Sequence, residues 1–183
     1  MHGHPNDSFK KRNYKPGQHG PNGSRSRSEY GSQLNMVQAL KFYHGITWKQ
    51  LANYFKIADL KKGNVADNLC RILNSRLDVN VFRGFCHSFY AACQIVSHGH
   101  VLVNGKKVNV RSYILKPGDV ISISDSASKV ESIEIVKKQN RPMPEYLSKD
   151  ENSNVKFVKS PDFDIVNYGF KLDMGPVVEF CSR

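Results

Sequence analysis

Four cysteines and two histidine pairs are the residues of this 183-residue sequence that could hold a metal or carry redox chemistry. Cys70, Cys86, Cys93 and Cys181 stand in apolar surroundings, with neither a CxxC pair nor a Cys/His set at zinc-finger spacing, which argues against a zinc site and a disulfide framework. His2 with His4, and His98 with His100, each offer two imidazoles at i, i+2, an incomplete ligand set. No metal and no cofactor are expected. Cys86 and Cys93 read as small buried hydrophobes, the common fate of free cysteine. Catalytic groups fare no better. Asp59, Asp67 and Asp78 fall at helix ends or in turn-like contexts where capping accounts for them, the serines lack a nucleophile-elbow surround, and there is no phosphate-loop glycine pattern. The expectation is a protein that is not an enzyme.

Positive charge is what the sequence concentrates. There are 27 Lys and Arg against 16 Asp and Glu, a formal net charge of +11. With a pI near 9.6, this points to a polyanionic partner. The cations cluster. KKRNYKPGQHG places Lys10, Lys11, Arg12 and Lys15 beside Tyr14, Gln18 and His19, and Arg25 and Arg27 follow. Lys61 and Lys62 end a predicted helix, and Lys106 and Lys107 follow a predicted hairpin turn. Cations in such groups bind phosphates and release counterions, and Tyr14 and His19 add rings that stack on unpaired bases, which favours RNA. For Lys106 and Lys107 a second use stays open, because edge strands carry lysine to discourage aggregation.

The elements that position these residues follow from periodicity. Residues 1–28 are rich in Gly, Pro, Asn, Ser and cations, without an apolar period, and read as an extended arm. A helix follows in which Leu34, Val37, Leu40 and Lys41 share a face and Gly45 caps the end. Thr47-x-x-Gln50 is a capping box opening a second helix, with Leu51, Tyr54, Phe55 and Ala58 at i, i+3, i+4, i+7. A third helix after Asn64 carries Leu69, Ile72 and Leu73 on one face, and Ser88 caps a fourth with Phe89, Ala92, Cys93 and Val96, closed by Gly99. The period then becomes two. Val101 and Val103 lead into Asn104-Gly105, a type I′ hairpin signal, and Val108 and Val110 lead out. Lys116-Pro-Gly-Asp119 is a further turn before a strand at Val120, Ile121 and Ile123, with Ile133, Ile135 and Val136 expected to join it. The tail carries short apolar runs such as Val177-Val-Glu-Phe180. No window approaches the ~20 apolar residues of a membrane span, and the start has neither a secretory h-region nor an amphipathic transit pattern. A soluble intracellular protein is expected, made inside the organelle if it works in one.

Several strings, in order from Phe9 to Arg183, carry a resemblance: RNYKPGQHG, YGSQL, KKGNVADNL, SRLD, HGHVLVNGKKVNVRSY, LKPGD, PEYLS and VVEFCSR. Together they resemble the bacterial and organellar form of the small-subunit ribosomal protein S-four family, most of all a mitochondrial-type member. The resemblance implies an α+β fold: an extended basic arm (1–30), a small helical bundle (31–75), an inserted S-four-type RNA-binding domain of helices on a small, mostly antiparallel sheet (76–138), and a C-terminal segment packing back on the helical part (139–183). It implies a primary rRNA-binding protein that holds a multi-helix junction in the 5′ domain of small-subunit rRNA and nucleates assembly. Contacts with ribosomal protein S-five and other small-subunit proteins, a place on the path of incoming mRNA and a part in decoding accuracy are implied as well. Carried over residue by residue, Arg12, Tyr14, Gln18 and His19 match the arm motif, Arg76 the SRLD string, and His98, Asn104, Lys106 and Arg111 the RNA-facing part of the module. Tyr30, Arg83 and His100 complete the implied RNA-binding set. Asn104 and Gly105 are expected to act chiefly as the turn that aims the lysines.

The departures matter too. Many members begin with a further segment, in some with a cysteine-bound zinc, and both are missing here. Many place arginines where this chain has Phe89 and Cys93, so the module would grip RNA through fewer ion pairs. These features point to an organelle-encoded protein, a mitochondrial one first, with a plastid or bacterial cytoplasm as alternatives. A competing reading is an RNA-modifying enzyme or ribosome-rescue factor built on the same module. The ~45 residues after Lys138 are too few for an added catalytic domain. A free translational repressor is compatible with the ribosomal reading.

Overall fold

The computed structural model describes residues 12, 14, 17–21, 28–124, 133, 143–150, 154–161, 168 and 172–182. Its elements are α1 (Glu29–His44), α2 (Trp48–Asp59), α3 (Val65–Asn74), α4 (Leu77–Phe85), α5 (Phe89–Ser97), β1 (Val101–Val103), β2 (Lys106–Val108), β3 (Val120–Ile123), β4 (Leu147–Lys149), β5 (Val155–Phe157) and α6 (Met174–Ser182). They fall into two compact units, residues 1–66 with 167–183, and residues 67–166.

The first unit is helical. Ser28 opens α1 by accepting the Gly31 amide on its hydroxyl, and Gly45 closes it in left-handed backbone at φ 57°. Both halves of the Thr47–Gln50 capping box are present at the start of α2. The Gln50 amide donates to Thr47 Oγ1 at 3.3 Å, and the Thr47 amide donates to Gln50 Oε1 at 2.9 Å. The buried face of α1 is Gln33, Val37, Leu40 and His44, whereas the apolar spacing predicts Leu34 and Lys41 on it. The reason is aromatic. The His44 ring packs near Tyr43 and Tyr168, centroids 5.0 and 6.0 Å away, and so fills a core position as an apolar ring would. Helix α6, which the apolar run Val177 to Phe180 only hinted at, packs against α1 and buries Met174 and Val177.

The second unit sets α4 and α5 against a five-stranded antiparallel sheet in the order β2-β1-β3-β5-β4. Its core joins Leu77, Val81 and Phe85 of α4 with Ala92, Ile95 and Val96 of α5 and with Val101, Val103, Ile121, Val155 and Phe157 from the strands. Asn104 at φ 51° and Gly105 at φ 78° make the predicted type I′ turn between β1 and β2. Val110 lies beyond β2 and is exposed, so the hairpin is shorter than the alternation suggests. Of the expected strand at Ile133, Ile135 and Val136, only Ile133 lies among the described residues, and it is helical there, not extended, because its side chain is buried in this core from outside the five-stranded sheet. Strands β4 and β5 belong to the segment expected to return to the helical part. They complete this sheet instead, because Leu147, Val155 and Phe157 are core residues of the second unit. Gly84 explains the close fit of α4 on β5, since a Cβ there would stand 2.9 Å from Val155 Cγ2.

Candidate nucleic-acid interface

Among the described residues of the second unit, Lys106, Lys107 and Arg111 are exposed on or just after the β1–β2 hairpin, while Arg71, Lys149, Lys156 and Lys159 are exposed on α3, β4, β5 and the residues after β5. Lys107 pairs with Leu102 across the strands and Lys106 with Val103, so the two lysines leave opposite faces of the sheet. Lys107 has a seat. Its side chain crosses Gly99 at the end of α5, where an added Cβ would stand 2.3 Å from Lys107 Cε, and Gly99 itself sits at φ 71°. Only glycine meets both conditions without cost. On either side of Gly99 are His98, exposed, and His100, half-buried, with ring centroids 6.1 Å apart. The His100 carbonyl accepts the Ser124 amide at 2.9 Å, which ties this corner to the end of β3.

Asn104 is held inward. Its Nδ2 donates to Asp119 Oδ1 at 2.8 Å and its Oδ1 accepts the Val120 amide at 2.9 Å, while Asp119 Oδ2 accepts the Lys116 amide at 2.8 Å. The hairpin turn and the Lys-Pro-Gly-Asp turn are thus clasped together. Asn104 matches its expected turn role and, with its side chain spent on Asp119 and Val120, is a positioning residue.

Arg111 is exposed and rigidly placed. The Arg111 carbonyl accepts the Asp78 amide at 3.3 Å, the Tyr113 carbonyl accepts the Leu77 amide at 2.8 Å, and the Leu115 amide donates to the Ser75 carbonyl at 2.8 Å. The segment after β2 is therefore fastened along the start of α4. The Arg111 guanidinium lies close enough to the Cys93 thiol to favour its charged form, against the burial that raises it. Cys93 itself is buried. Phe89 is half-buried and packs on Phe82 with centroids 6.0 Å apart.

Arg76 and Arg83 fall elsewhere than the RNA-binding set implies. Arg76 is 2% exposed and grips Asp78 bidentately, Nε to Oδ1 at 3.0 Å and Nη2 to Oδ2 at 2.5 Å. Arg83 is half-buried, donates to Tyr146 Oη and to Asn74 Oδ1 at 3.2 Å, and stacks its guanidinium 5.5 Å from the Tyr146 ring centroid. Arg76 matches the SRLD string, Arg83 belongs to the implied RNA-binding set, and both brace α4. Pattern matching cannot separate an arginine that touches RNA from one that orders the scaffold.

In the first unit Arg12, Tyr14, Gln18, His19 and Tyr30 are exposed, as are Lys61 and Lys62 after α2. Gly17 to Gly20 form a turn in which the Gly20 amide donates to the Gly17 carbonyl at 3.1 Å. Lys10, Lys11, Lys15, Arg25 and Arg27 lie outside the described residues. The thiols are quiet: burial, helped by neighbouring Cys93, pushes Cys86 up to about 12, burial pushes Cys181 to about 11, and burial raises Cys93 despite Arg111. Among the described residues no group of three or more His, Cys, Asp or Glu is placed to hold a metal ion, and no helix is long and apolar enough to cross a membrane. Gly99, Asp119 and the Cys93–Arg111 contact escaped the sequence-based set. The glycine between two histidines and the aspartate closing the Pro-Gly turn were their signals.

Fold and surface together define a basic α+β protein carrying an S4 domain, whose family model matches residues 75–121, preceded by a match to the ribosomal protein S4/S9 N-terminal domain over residues 2–74. Small ribosomal subunit protein uS4 of Pelagibacter ubique is 42% identical over 185 residues, spanning 99% of this chain and 90% of the relative. The same-named protein of Wolbachia pipientis from Culex pipiens is 41% identical over 184 residues, with the same coverage. That of Rickettsia prowazekii is 42% identical over 181 residues, 97% of this chain and 88% of its own length. The chain belongs to the uS4 family of small ribosomal subunit proteins, a family of structural ribosomal components and not of enzymes. The RNA-modifying-enzyme reading is set aside on that ground.

Proposed function

We propose that this chain is a primary rRNA-binding protein that holds a multi-helix junction in the 5′ domain of small-subunit rRNA and nucleates subunit assembly. The observation that carries the reading is 42% identity to a uS4 protein over 99% of the chain, coupled to exposed Lys106, Lys107 and Arg111 on and after one hairpin. The contact set is Arg12, Tyr14, Gln18, His19 and Tyr30 with Lys61 and Lys62 in one unit, and His98, His100, Lys106, Lys107 and Arg111 in the other. Lys10, Lys11, Lys15, Arg25 and Arg27 extend it along the arm. Arg76, Arg83 and Asn104 support it from behind. Contacts with ribosomal protein S-five, a place on the path of incoming mRNA and an influence on decoding accuracy belong to the same proposal. Its compartment is a mitochondrial ribosome, supported by Phe89 and Cys93 at positions held by arginine in many members. The relatives named above are bacterial.

Gradient sedimentation of a lysate at moderate and then high salt, with the chain followed by mass spectrometry, tests both parts. Stoichiometric co-migration with the small subunit, retained at high salt, is expected, and in fractionated cells the subunit should be mitochondrial. A free pool that washes off would refute the resident role, and co-migration with a cytosolic bacterial subunit would refute the compartment.

A further inference from the structure

His98, His100 and Lys107 bring three basic side chains to one corner of the second unit. The histidines flank Gly99 after α5, and their ring centroids stand 6.1 Å apart. Lys107 Nζ lies 3.1 Å from the point that a Gly99 Cβ would occupy, so the ammonium stands over the residue between the two imidazoles. His98 and Lys107 are exposed and His100 is half-buried, and among the described residues none of the three pairs with a carboxylate. Ser124 Oγ stands 3.5 Å from His100 Nδ1, which leaves Nε2 as the ring nitrogen for an outside partner.

The other charged and titratable groups of the surrounding elements are engaged or lie elsewhere. Lys106 leaves the opposite face of β2, and Asp119 accepts from Asn104 and from the Lys116 amide at the far end of β1. On α4, Asp78 holds Arg76, and Arg83 donates to Asn74 and lies against Tyr146. Tyr90 and Cys93 are more than a turn back along α5, and β1 and β3 carry no titratable side chain.

An imidazole is a cation only when protonated, a change that histidine makes between pH 5 and 8. Two rings this close can donate to oxygens of one phosphate at N–H···O lengths of about 3 Å. Cations gathered in one corner repel one another until an anion enters among them, so the anion and the protons favour each other.

We propose that His98, His100 and Lys107 form one site for a single backbone phosphate of rRNA, and that the imidazoles take up protons as it binds. The inference deepens the ribosomal reading and rests on it. The bound phosphate holds the protons more tightly than the free chain does, so affinity rises as the pH falls. One charge-assisted hydrogen bond gained corresponds to roughly a tenfold fall in Kd between pH 8 and pH 6. Each proton gained steepens the salt slope by about one counterion.

The full chain is titrated at pH 8 and pH 6, over a range of salt, with a fragment of small-subunit rRNA spanning the 5′ junction, and binding is read by filter retention. Calorimetry at intermediate pH in two buffers of different ionisation enthalpy counts the protons taken up. Net uptake, the tenfold tightening and a steeper slope at pH 6 are expected. His98→Gln with His100→Gln should bring the two Kd values together and abolish the uptake, while Lys107→Met should weaken binding at both pH values. His98→Gln alone, at an exposed position, should lower the uptake and is the variant to read should the double variant fail to fold. Equal Kd values at the two pH values, no proton uptake, or undiminished uptake in the histidine variants overturns the phosphate site and leaves the ribosomal reading standing. Unchanged binding by Lys107→Met overturns the site as well. Absence of retention at either pH overturns the ribosomal reading first.

Discussion

Removing the Asp78 carboxylate should destabilise the second unit more than removing any exposed cation. Arg76 and Asp78 are 2% and 1% exposed and share two hydrogen bonds, so Asp78→Ala strands a guanidinium out of water. Breaking a buried pair from one side costs about 3 to 5 kcal/mol. Asp78 Oδ1 also accepts the Val79 amide at 2.9 Å, and a lost helix-start acceptor costs ~1 kcal/mol more. For a unit the size of residues 67–166, where each kcal/mol moves the melting point by about 4 to 8 °C, the loss is on the order of 20 °C. Thermal unfolding followed by circular dichroism, with amide exchange at Leu77 and Leu115, would read it. The double variant Arg76→Met with Asp78→Leu should recover most of the loss, since a buried pair replaced by apolar groups of similar size is often neutral. It should also bind rRNA with an unchanged salt slope. A loss below ~1 kcal/mol for Asp78→Ala, or no coupling in the double-mutant cycle, would refute the scaffold role, and a flattened salt slope would return Arg76 to the contact set.

Arg12→Ala combined with Lys15→Ala should flatten the salt dependence of rRNA binding by about two counterions, measured as log Kd against log salt, and an unchanged slope would refute the clamp. Gly99→Ala should cost about 1 to 2 kcal/mol from the left-handed backbone and weaken rRNA binding by driving Lys107 off its seat; equal affinity in both proteins would show that the seat does not matter. Cys86 and Cys93 should label slowly with a thiol reagent at neutral pH while the chain is folded, and fast labelling would contradict the packing of α5. The Cys86 thiol holds its proton more tightly folded than unfolded, so its contribution to stability is full below pH ~9 and declines as the pH rises towards 12, readable as a falling denaturation midpoint.

Helices with a cap and an apolar stripe were legible in the sequence: Thr47 with Gln50, Ser88 with Ala92 and Val96, and Gly45 all stand where their chemistry requires. Asn104-Gly105 announced its hairpin because few residues accept positive φ at both positions. Helix α4 did not announce itself. Its Val79-Asn80-Val81 alternates like a strand, and it is helical because a local pair at its start, Arg76–Asp78, and long-range contacts hold it: the bonds to residues 111 and 113, and Gly84 against Val155. Helix α1 misled in one respect, since Gln33 and His44 take buried places that a hydrophobic count assigns to Leu34 and Lys41.

The candidate site shows the same division in its charges. Sequence treats Arg76, Arg83, Lys106, Lys107 and Arg111 as one basic population, but burial splits them. A cation in contact with phosphate must be free to exchange water and counterions for the ligand, and the free energy of that exchange is what makes binding salt-dependent. Arg76 has already exchanged its water for Asp78, and Arg83 lies against Tyr146 and Asn74. Lys107 and Arg111, by contrast, are exposed, with Gly99 beneath Lys107, Asn104 clasping the adjacent turn to Asp119, and Cys93 beside Arg111. A grip on a polyanion here would depend on where the exposed charges are held as well as on how many there are.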